Sequence, residues 1–336
     1  MRALASIQRI MALTPIEGAE AIETATVLGW QVVVKKHEFK PGDLVVYVEI
    51  DSVLPARPEF DFLKSKNYRI KTIRLRGQVS QGICFPLSVL PDSVDIGEGL
   101  DVTNILEIKH IDEIQPPTMP NAKGNFPSFV PKTEEPRLQT FKNLDKIKKY
   151  VYIVTEKLDG MSATYYLKDG VFGVCSRNLE LKEDETSAYW RVAKMHGMEK
   201  ALHIVAEYLD IKNVAIQGEI IGAGINGNRY NKAGIEFYAF SVFDIDKYKY
   251  VPEANAVFSF LSEIGIRTVP VLGNGIHITA NTTREAVQKL SEIYLNGHSV
   301  IADVIPEGIV LRNVGQRKER ISFKVINEAY LLEHNL

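Results

Sequence analysis

The sequence predicts an α+β chain: a small N-terminal β-barrel, a proline-rich strap, and a larger antiparallel domain in which strands and helices mix. Three observations carry this prediction. Residues 1–107 hold short runs rich in valine, isoleucine and aromatics, separated by turn residues. Residues 108–140 contain prolines recurring from Pro116 to Pro136, which interrupt regular ladders and make a linker or an extended strap. From residue 141 onward strands come in runs rather than in strict alternation with helices, which favours an antiparallel sheet over a doubly wound one.

Composition narrows the function classes. With 336 residues, 45% of them hydrophobic, the chain can bury a substantial core and is long enough for two domains. The formal net charge of -2 argues neither for nor against nucleic acid, so local clusters decide. Cys84 and Cys175 are the only cysteines, which excludes a disulfide framework or a cysteine-rich zinc site and suits a reducing compartment. The seven histidines show no metal-ligand spacing. No apolar run approaches the ~18–20 residues of a membrane span and no signal-peptide pattern opens the chain, so no membrane partner and a cytoplasmic location are expected.

In the barrel, strands are expected at 25–35, 44–50, 69–75 and 81–87, with Lys40-Pro-Gly-Asp43 as a turn. Alternation places Ile73 and Leu75 inward and Arg74 and Arg76 outward. The window Lys64 to Arg76 holds six basic residues and no acidic one. Such a face can track a phosphate backbone on a small barrel of the oligonucleotide-binding (OB) type, or serve as a solubilising edge that blocks strand pairing; both readings stay open. The strap ends at Arg137, which could swing over a bound anion.

In the larger domain the pivotal stretch is Val151 to Gly160, an apolar β-branched run that delivers Glu156, Lys157, Asp159 and Gly160 to the end of a buried strand. A lysine among apolar or cationic neighbours gives up its proton more readily and can act as a nucleophile. Gly160 permits a tight turn or close approach to a ligand. A hairpin follows around Lys168-Asp-Gly170, then a helix over 186–209 with Met198, Ala201, Leu202, Val205 and Tyr208 on one stripe. Strands are expected at 214–221 and 236–245, helices at 253–264 and 283–295, and closing strands at 308–311 and 321–326. Glu219, Glu307 and Lys324 fall inside apolar strands, where a charge is costly unless paired or metal-bound. Two acids, two lysines and an arginine sharing one pocket would suit a nucleoside triphosphate, with an aromatic from Tyr238 to Phe243 stacked on the base.

Glu-Lys157-Leu-Asp-Gly, Ser-Arg177-Asn, Gly-Glu219-Ile-Ile-Gly, the run ending at Phe243, Glu307-Gly-Ile-Val and Phe-Lys324-Val resemble, in this order, the nucleotidyltransferase motifs of ATP-dependent RNA ligases. The resemblance spans about 130–326. The barrel and the strap resemble the branch that carries its OB domain before the catalytic domain, and no accessory domain is expected after Lys324. The resemblance implies an ATP-grasp-like ligase (adenylyltransferase) domain over 141–336. It implies ATP as cofactor, with Lys157 carrying AMP, and Mg²⁺ or Mn²⁺ anchored by Asp159, Glu219 and Glu307 directly or through water. By the same resemblance Glu156 and Gly160 lie beside the nucleotide, and Arg137 and Arg177 contact ribose, phosphate or the RNA end. Phe243 stacks on adenine, with Phe240 as its alternative, and Lys324 holds the α-phosphate. The partners implied are RNA ends with a 3′-hydroxyl and a 5′-phosphate, in a nicked or broken duplex. Ser322 departs from the Lys-x-Lys form of the last motif. A non-catalytic RNA-binding protein with a degenerate ligase domain and a capping-type guanylyltransferase are the alternatives.

Overall fold

The computed structural model describes residues 3–114, 120–252, 255–314 and 320–336. Its N-terminal barrel is organised on a strand that the sequence pattern did not single out, Ala5–Pro15. This strand pairs antiparallel with Ile22–Val27 on one side and Leu44–Val48 on the other; Trp30–Lys35 and Ile83–Phe85 complete a five-stranded sheet. The expected single strand over 25–35 is the turn of a hairpin, because the chain reverses at Leu28-Gly29, with Leu28 at φ 53°. Gly29 is required there: a Cβ would lie 2.9 Å from the Cα of Gln139. The strand Gln78–Gln81 lies along Trp30–Lys35, the Val33 amide donating to the Ser80 hydroxyl at 2.9 Å, and nearly closes the barrel around Ile7, Trp30, Val45 and Tyr47.

The basic face sits on a two-stranded ribbon, Thr72–Leu75 with Gln78–Gln81, turning through Arg76 (φ 49°) and Gly77 (φ 82°). The inward and outward faces differ from those expected. Ile73 and Leu75 are 47% and 38% exposed, and Thr72 is the buried residue of the first strand. The second strand of the ribbon takes the barrel side and leaves the first outside it, so alternation along the first strand does not sort core from solvent. Arg74 and Arg76 are exposed as expected. Partial burial and the neighbouring Arg69 and Lys66 hold the Lys71 ammonium below its usual range.

The strap is more regular than its prolines suggest. Ala122–Asn125 pairs with Leu179–Leu181 at the edge of a seven-stranded sheet in the larger domain, between Pro120 and Pro127 rather than across them. Pro116 and Pro117 lie outside the described residues. Beyond the strand, Phe129 packs edge-on against Tyr166 with centroids 5.0 Å apart, and the Gln217 side chain donates to the Pro131 carbonyl at 2.9 Å.

The larger domain stacks two antiparallel sheets. One orders Ala122–Asn125, Leu179–Leu181, Val171–Cys175, Met161–Lys168, Val214–Gly222, Ile235–Asp244 and Lys249–Tyr250; the other orders Val271–His277, Val151–Lys157, Gly308–Asn313 and Ser322–Ile326. Val271–His277 escaped the sequence reading because it is glycine-bearing and largely exposed, with no clean alternation. The expected helix over 186–209 is two, Ala188–Met195 and Met198–Leu209, separated at Gly197 (φ 53°). Met198, Ala201, Leu202 and Val205 are buried, whereas Tyr208 is half exposed and stacks on Phe260. Helices Asn255–Glu263 and Thr283–Tyr294 fall where expected; the expected start at Glu253 lies outside the described residues. A last helix, Glu328–Glu333, was not foreseen; it is capped by the Asn327 side chain, which accepts from the Ala329 amide at 3.0 Å. Among the described residues no helix is long and apolar enough to cross a membrane.

Candidate active site

The two sheets of the larger domain are joined where the pivotal stretch crosses between them. Lys157 ends one strand, opposite Gly308, and after Leu158-Asp-Gly160 the chain enters the other sheet with Ser162 opposite Glu219. The crossing is tight: a Cβ on Gly160 would sit 2.2 Å from the Ile220 carbonyl oxygen, so the backbones approach only because this residue has none. A cleft of about 270 Å³ opens at the crossover. Lys157, Asp159, Gly160, Arg177, Glu219, Glu307 and Lys324 all line it.

Lys157 Nζ donates to Glu307 Oε1 at 2.7 Å, and its side chain is 27% exposed. Burial by itself would lower the lysine pKa, but Glu307, Glu219 and Asp159 outweigh it and raise it. The amine is therefore held as an ammonium ion, contrary to the depressed lysine expected from apolar neighbours. Its acid partners tell the complementary story. Burial, reinforced by Glu307 and Asp159 against the pull of Lys157 and Arg177, pushes Glu219 up to about 8. The buried Glu307 Oε2 has no hydrogen-bond partner among the described residues. The cleft thus holds more carboxylate than one ammonium satisfies, and a divalent cation fits that deficit. Among the described residues no three acid, histidine or cysteine side chains are gathered closely enough to ligate one ion together.

One loop shapes the acid end. The Asp159 amide donates to the Tyr230 hydroxyl, and Asp159 Oδ1 accepts from the Asn226 side chain, both at 2.8 Å. Neither partner was foreseen; the only sequence signal is the Gly/Asn-rich run from Gly222 to Asn231, a turn pattern without chemistry of its own. At the other end the strap enters the cleft. The Thr133 and Ser162 hydroxyls hydrogen-bond at 2.9 Å, and the Lys324 amide donates to the Pro136 carbonyl at 2.8 Å. Glu135, also unforeseen, sits 3.4 Å from Arg312 Nε and 3.2 Å from Arg320 Nη2, and accepts from the Ser322 hydroxyl. Burial would raise this carboxyl, but Arg312, Arg320, the Ser322 hydroxyl and Lys324 together hold it below its usual range. Ser322, the departure from the Lys-x-Lys pattern, is thereby a strap contact.

Two expected nucleotide contacts, Phe243 and Arg137, are placed elsewhere, and a third, Glu156, is engaged by its own neighbours. Phe243 is 1% exposed and packs with Val130, Tyr166 and Ala215 beneath the strap; Phe240 lines the cleft instead. The cause is a β-bulge. Gln217 pairs with Ser241 and Gly218 with Ala239, which leaves Phe240 as the extra residue, re-aimed out of the alternation. Arg137 does not swing over the cleft: its guanidinium is buried, 3.1 Å from Asp51 Oδ2 and 5.8 Å from the Trp30 ring centroid, and it ties the strap to the barrel. Glu156 borders the cleft, but its carboxylate accepts from the Ser299 hydroxyl and from the Val300 amide at 3.0 Å. Burial raises its pKa against those two hydrogen bonds. Arg177 stands exposed at the rim, just past Val171–Cys175, while Arg74 and Arg76 are on the barrel ribbon and do not line the cleft.

Comparison with known proteins agrees with this architecture. An OB-fold domain family matches residues 4–87 and the RNA ligase family matches residues 151–326. Among curated proteins no match was found. Among solved structures, a Naegleria gruberi RNA ligase variant with ATP and Mn is 36% identical, covers 99% of both chains and superposes with a TM-score of 0.87. The same ligase with PPi is 36% identical at a TM-score of 0.86, covering 100% of this chain and 99% of that one. An apo variant is 35% identical at 0.87, covering 99% and 98%. Family, identity and full-length superposition agree with the barrel, the strap and the lysine-centred cleft: the chain belongs to the ATP-dependent RNA ligases, in the branch with an OB-fold domain ahead of the catalytic domain.

Proposed function

We propose that the enzyme joins a 3′-hydroxyl RNA end to a 5′-phosphate within a nicked duplex, carrying AMP on Lys157 between the two halves of the reaction. The observation that carries this reading is the placement of Lys157 at the crossover between the sheets, 2.7 Å from Glu307, in one cleft with Glu219 and Lys324. ATP is the nucleotide, as in the related ligase solved with ATP and Mn. Once its proton is lost, for which Glu307 Oε1 is the adjacent acceptor, the Lys157 amine attacks the α-phosphorus. A P–N bond forms, the α–β P–O bond breaks, and pyrophosphate leaves. The RNA 5′-phosphate then attacks the same phosphorus and frees the lysine; the 3′-hydroxyl finally displaces AMP and makes the phosphodiester. Each displacement is positioning plus charge neutralisation. Lys324 and Arg177 supply cationic charge at the cleft. Glu219, Glu307 and Asp159 would hold a hydrated Mg²⁺ or Mn²⁺, which supplies further positive charge beside the phosphates and favours the neutral amine. Both cysteines are free buried thiols, in keeping with the reducing cytoplasm that we propose as the compartment.

Sealing tests the whole reading. With ATP and Mn²⁺, a nicked RNA duplex is joined, while the same strands without a complementary strand are joined far more slowly; equal rates on both would remove the duplex requirement.

The bulge supports Phe240 as the adenine platform. Phe240→Ala raises the KM for ATP about tenfold, the order of one lost base stack, and leaves the melting temperature nearly unchanged. Phe243→Ala behaves oppositely, costing about 3–5 kcal/mol of stability with little change in KM, because it empties a packed core. The reverse assignment of these two phenotypes would return adenine to Phe243.

On the barrel, Arg74→Ala combined with Arg76→Ala slows sealing about tenfold and leaves self-adenylylation intact. The slope of log affinity for nicked RNA against log salt falls by roughly two, one for each phosphate no longer neutralised by an arginine. Loss of both steps would show that the ribbon supports the fold instead.

A further inference from the structure

The last helix, Glu328–Glu333, follows the Lys324 strand directly, yet packs into the other domain. Tyr330 and Leu331 are buried within the barrel core cluster, and the Thr72 amide donates to the Leu336 carbonyl at 2.8 Å. The Tyr330 hydroxyl reaches back to the larger domain and donates to the cleft-lining Asp159, at Oδ2, at 3.0 Å. With Asn226 on Oδ1 at 2.8 Å, the carboxylate is held at both oxygens by side chains from separate elements. Arg229 fills the space between them, its Cζ 4.8 Å from the Tyr330 ring centroid and its Nε 3.9 Å from Asp159 Oδ2. A hydroxyl anchored in one domain thus fixes the rotamer of an acid in the other.

We infer that Tyr330 is a positioning residue through which the seating of the barrel sets the orientation of Asp159, and with it the divalent-cation affinity of the cleft. This rests on the proposed role of Asp159 toward a hydrated cation. Hydrogen-bond partners behind a metal-facing carboxylate commonly govern affinity by 10–100-fold, because they remove the carboxylate's alternative orientations. The barrel is then more than an RNA-holding module: displacing it releases Tyr330 and loosens the acid that the nucleotide step uses.

The test is a titration of the full chain with Mn²⁺, following the free ion by electron paramagnetic resonance, alongside the Mn²⁺ dependence of lysine adenylylation. Tyr330→Phe keeps the ring over Arg229 and melts with the wild type. It weakens Mn²⁺ binding and raises the half-saturating Mn²⁺ concentration for adenylylation, each about tenfold, with the rate at saturating Mn²⁺ preserved. Leu331→Ala, which loosens the helix seat without touching Asp159, shifts both in the same direction. Asp159→Ala shifts them at least as far, and adding Tyr330→Phe to it changes nothing more. Wild-type Mn²⁺ binding in Tyr330→Phe while Asp159→Ala is impaired overturns the coupling, as do additive shifts in the double variant. Wild-type Mn²⁺ binding in Asp159→Ala removes the cation role of Asp159 and the coupling with it.

Discussion

Lys157→Ala abolishes transfer of label from α-labelled ATP to the protein, a loss of at least about 10³-fold, because no other amine replaces the proposed nucleophile. The companion variant separates chemistry from charge. Lys157→Arg keeps a cation beside Glu307, which sits 2.7 Å from the lysine nitrogen, and so preserves the electrostatic balance of the cleft. A guanidinium stays protonated at any accessible pH and cannot attack, so Lys157→Arg folds like the wild type and is equally unlabelled. Both variants seal RNA that already carries a 5′-adenylate, because that step needs no lysyl intermediate. Wild-type protein that has been stripped of bound AMP with pyrophosphate, and then takes no label from ATP and Mn²⁺, would overturn the proposed mechanism. Label drawn from GTP in preference to ATP would reassign the nucleotide.

Glu135→Gln destabilises the protein by about 3 kcal/mol at neutral pH, the scale of a broken buried ion pair, because Arg312 and Arg320 lose the acid that lies between them. The effect depends on pH in a fixed sense. The folded-state pKa of Glu135 lies below its ordinary 4.5, held there by the two arginines, the Ser322 hydroxyl and Lys324 against the cost of burial. Its stabilisation is therefore complete above about pH 4.5 and is lost as the pH falls through the depressed folded value. Urea titrations of wild type and Glu135→Gln converge in acid and separate as the pH rises to neutrality; a constant difference across that range would place the effect elsewhere. Adenylylation slows as well. Glu135 and Pro136 are neighbours, and Pro136 accepts from the amide of Lys324, so a loosened strap releases a cation of the cleft.

How much of this was legible in the sequence varied with the range of the interaction. The hairpin around Lys168-Asp-Gly170 follows from its turn residues, since Asp169 and Gly170 take the positive φ angles that a two-residue reversal needs. The break between Ala188–Met195 and Met198–Leu209 was carried by a single Gly197, and a continuous apolar stripe on both sides hid it. Phe240 and Phe243 look interchangeable along the chain. Their roles separate only at the bulge opposite Gln217 and Gly218, which is a property of two paired strands and not of one.

By itself the sequence determined which residues are chemically able to act: a lysine at a strand end, acids planted in apolar strands, a glycine where backbones must nearly touch. Alternation and turn chemistry are local and survive in one dimension. Only the tertiary structure decided how those residues share charge and what holds them. Arg137 looked like a phosphate ligand until Asp51, from the barrel, was placed against it at 3.1 Å. Lys157 looked like a depressed amine until Glu307 and Glu219, from distant parts of the chain, joined nearby Asp159 in raising its pKa. Electrostatic balance and side-chain aim depend on neighbours far apart in the chain, and no local pattern encodes them.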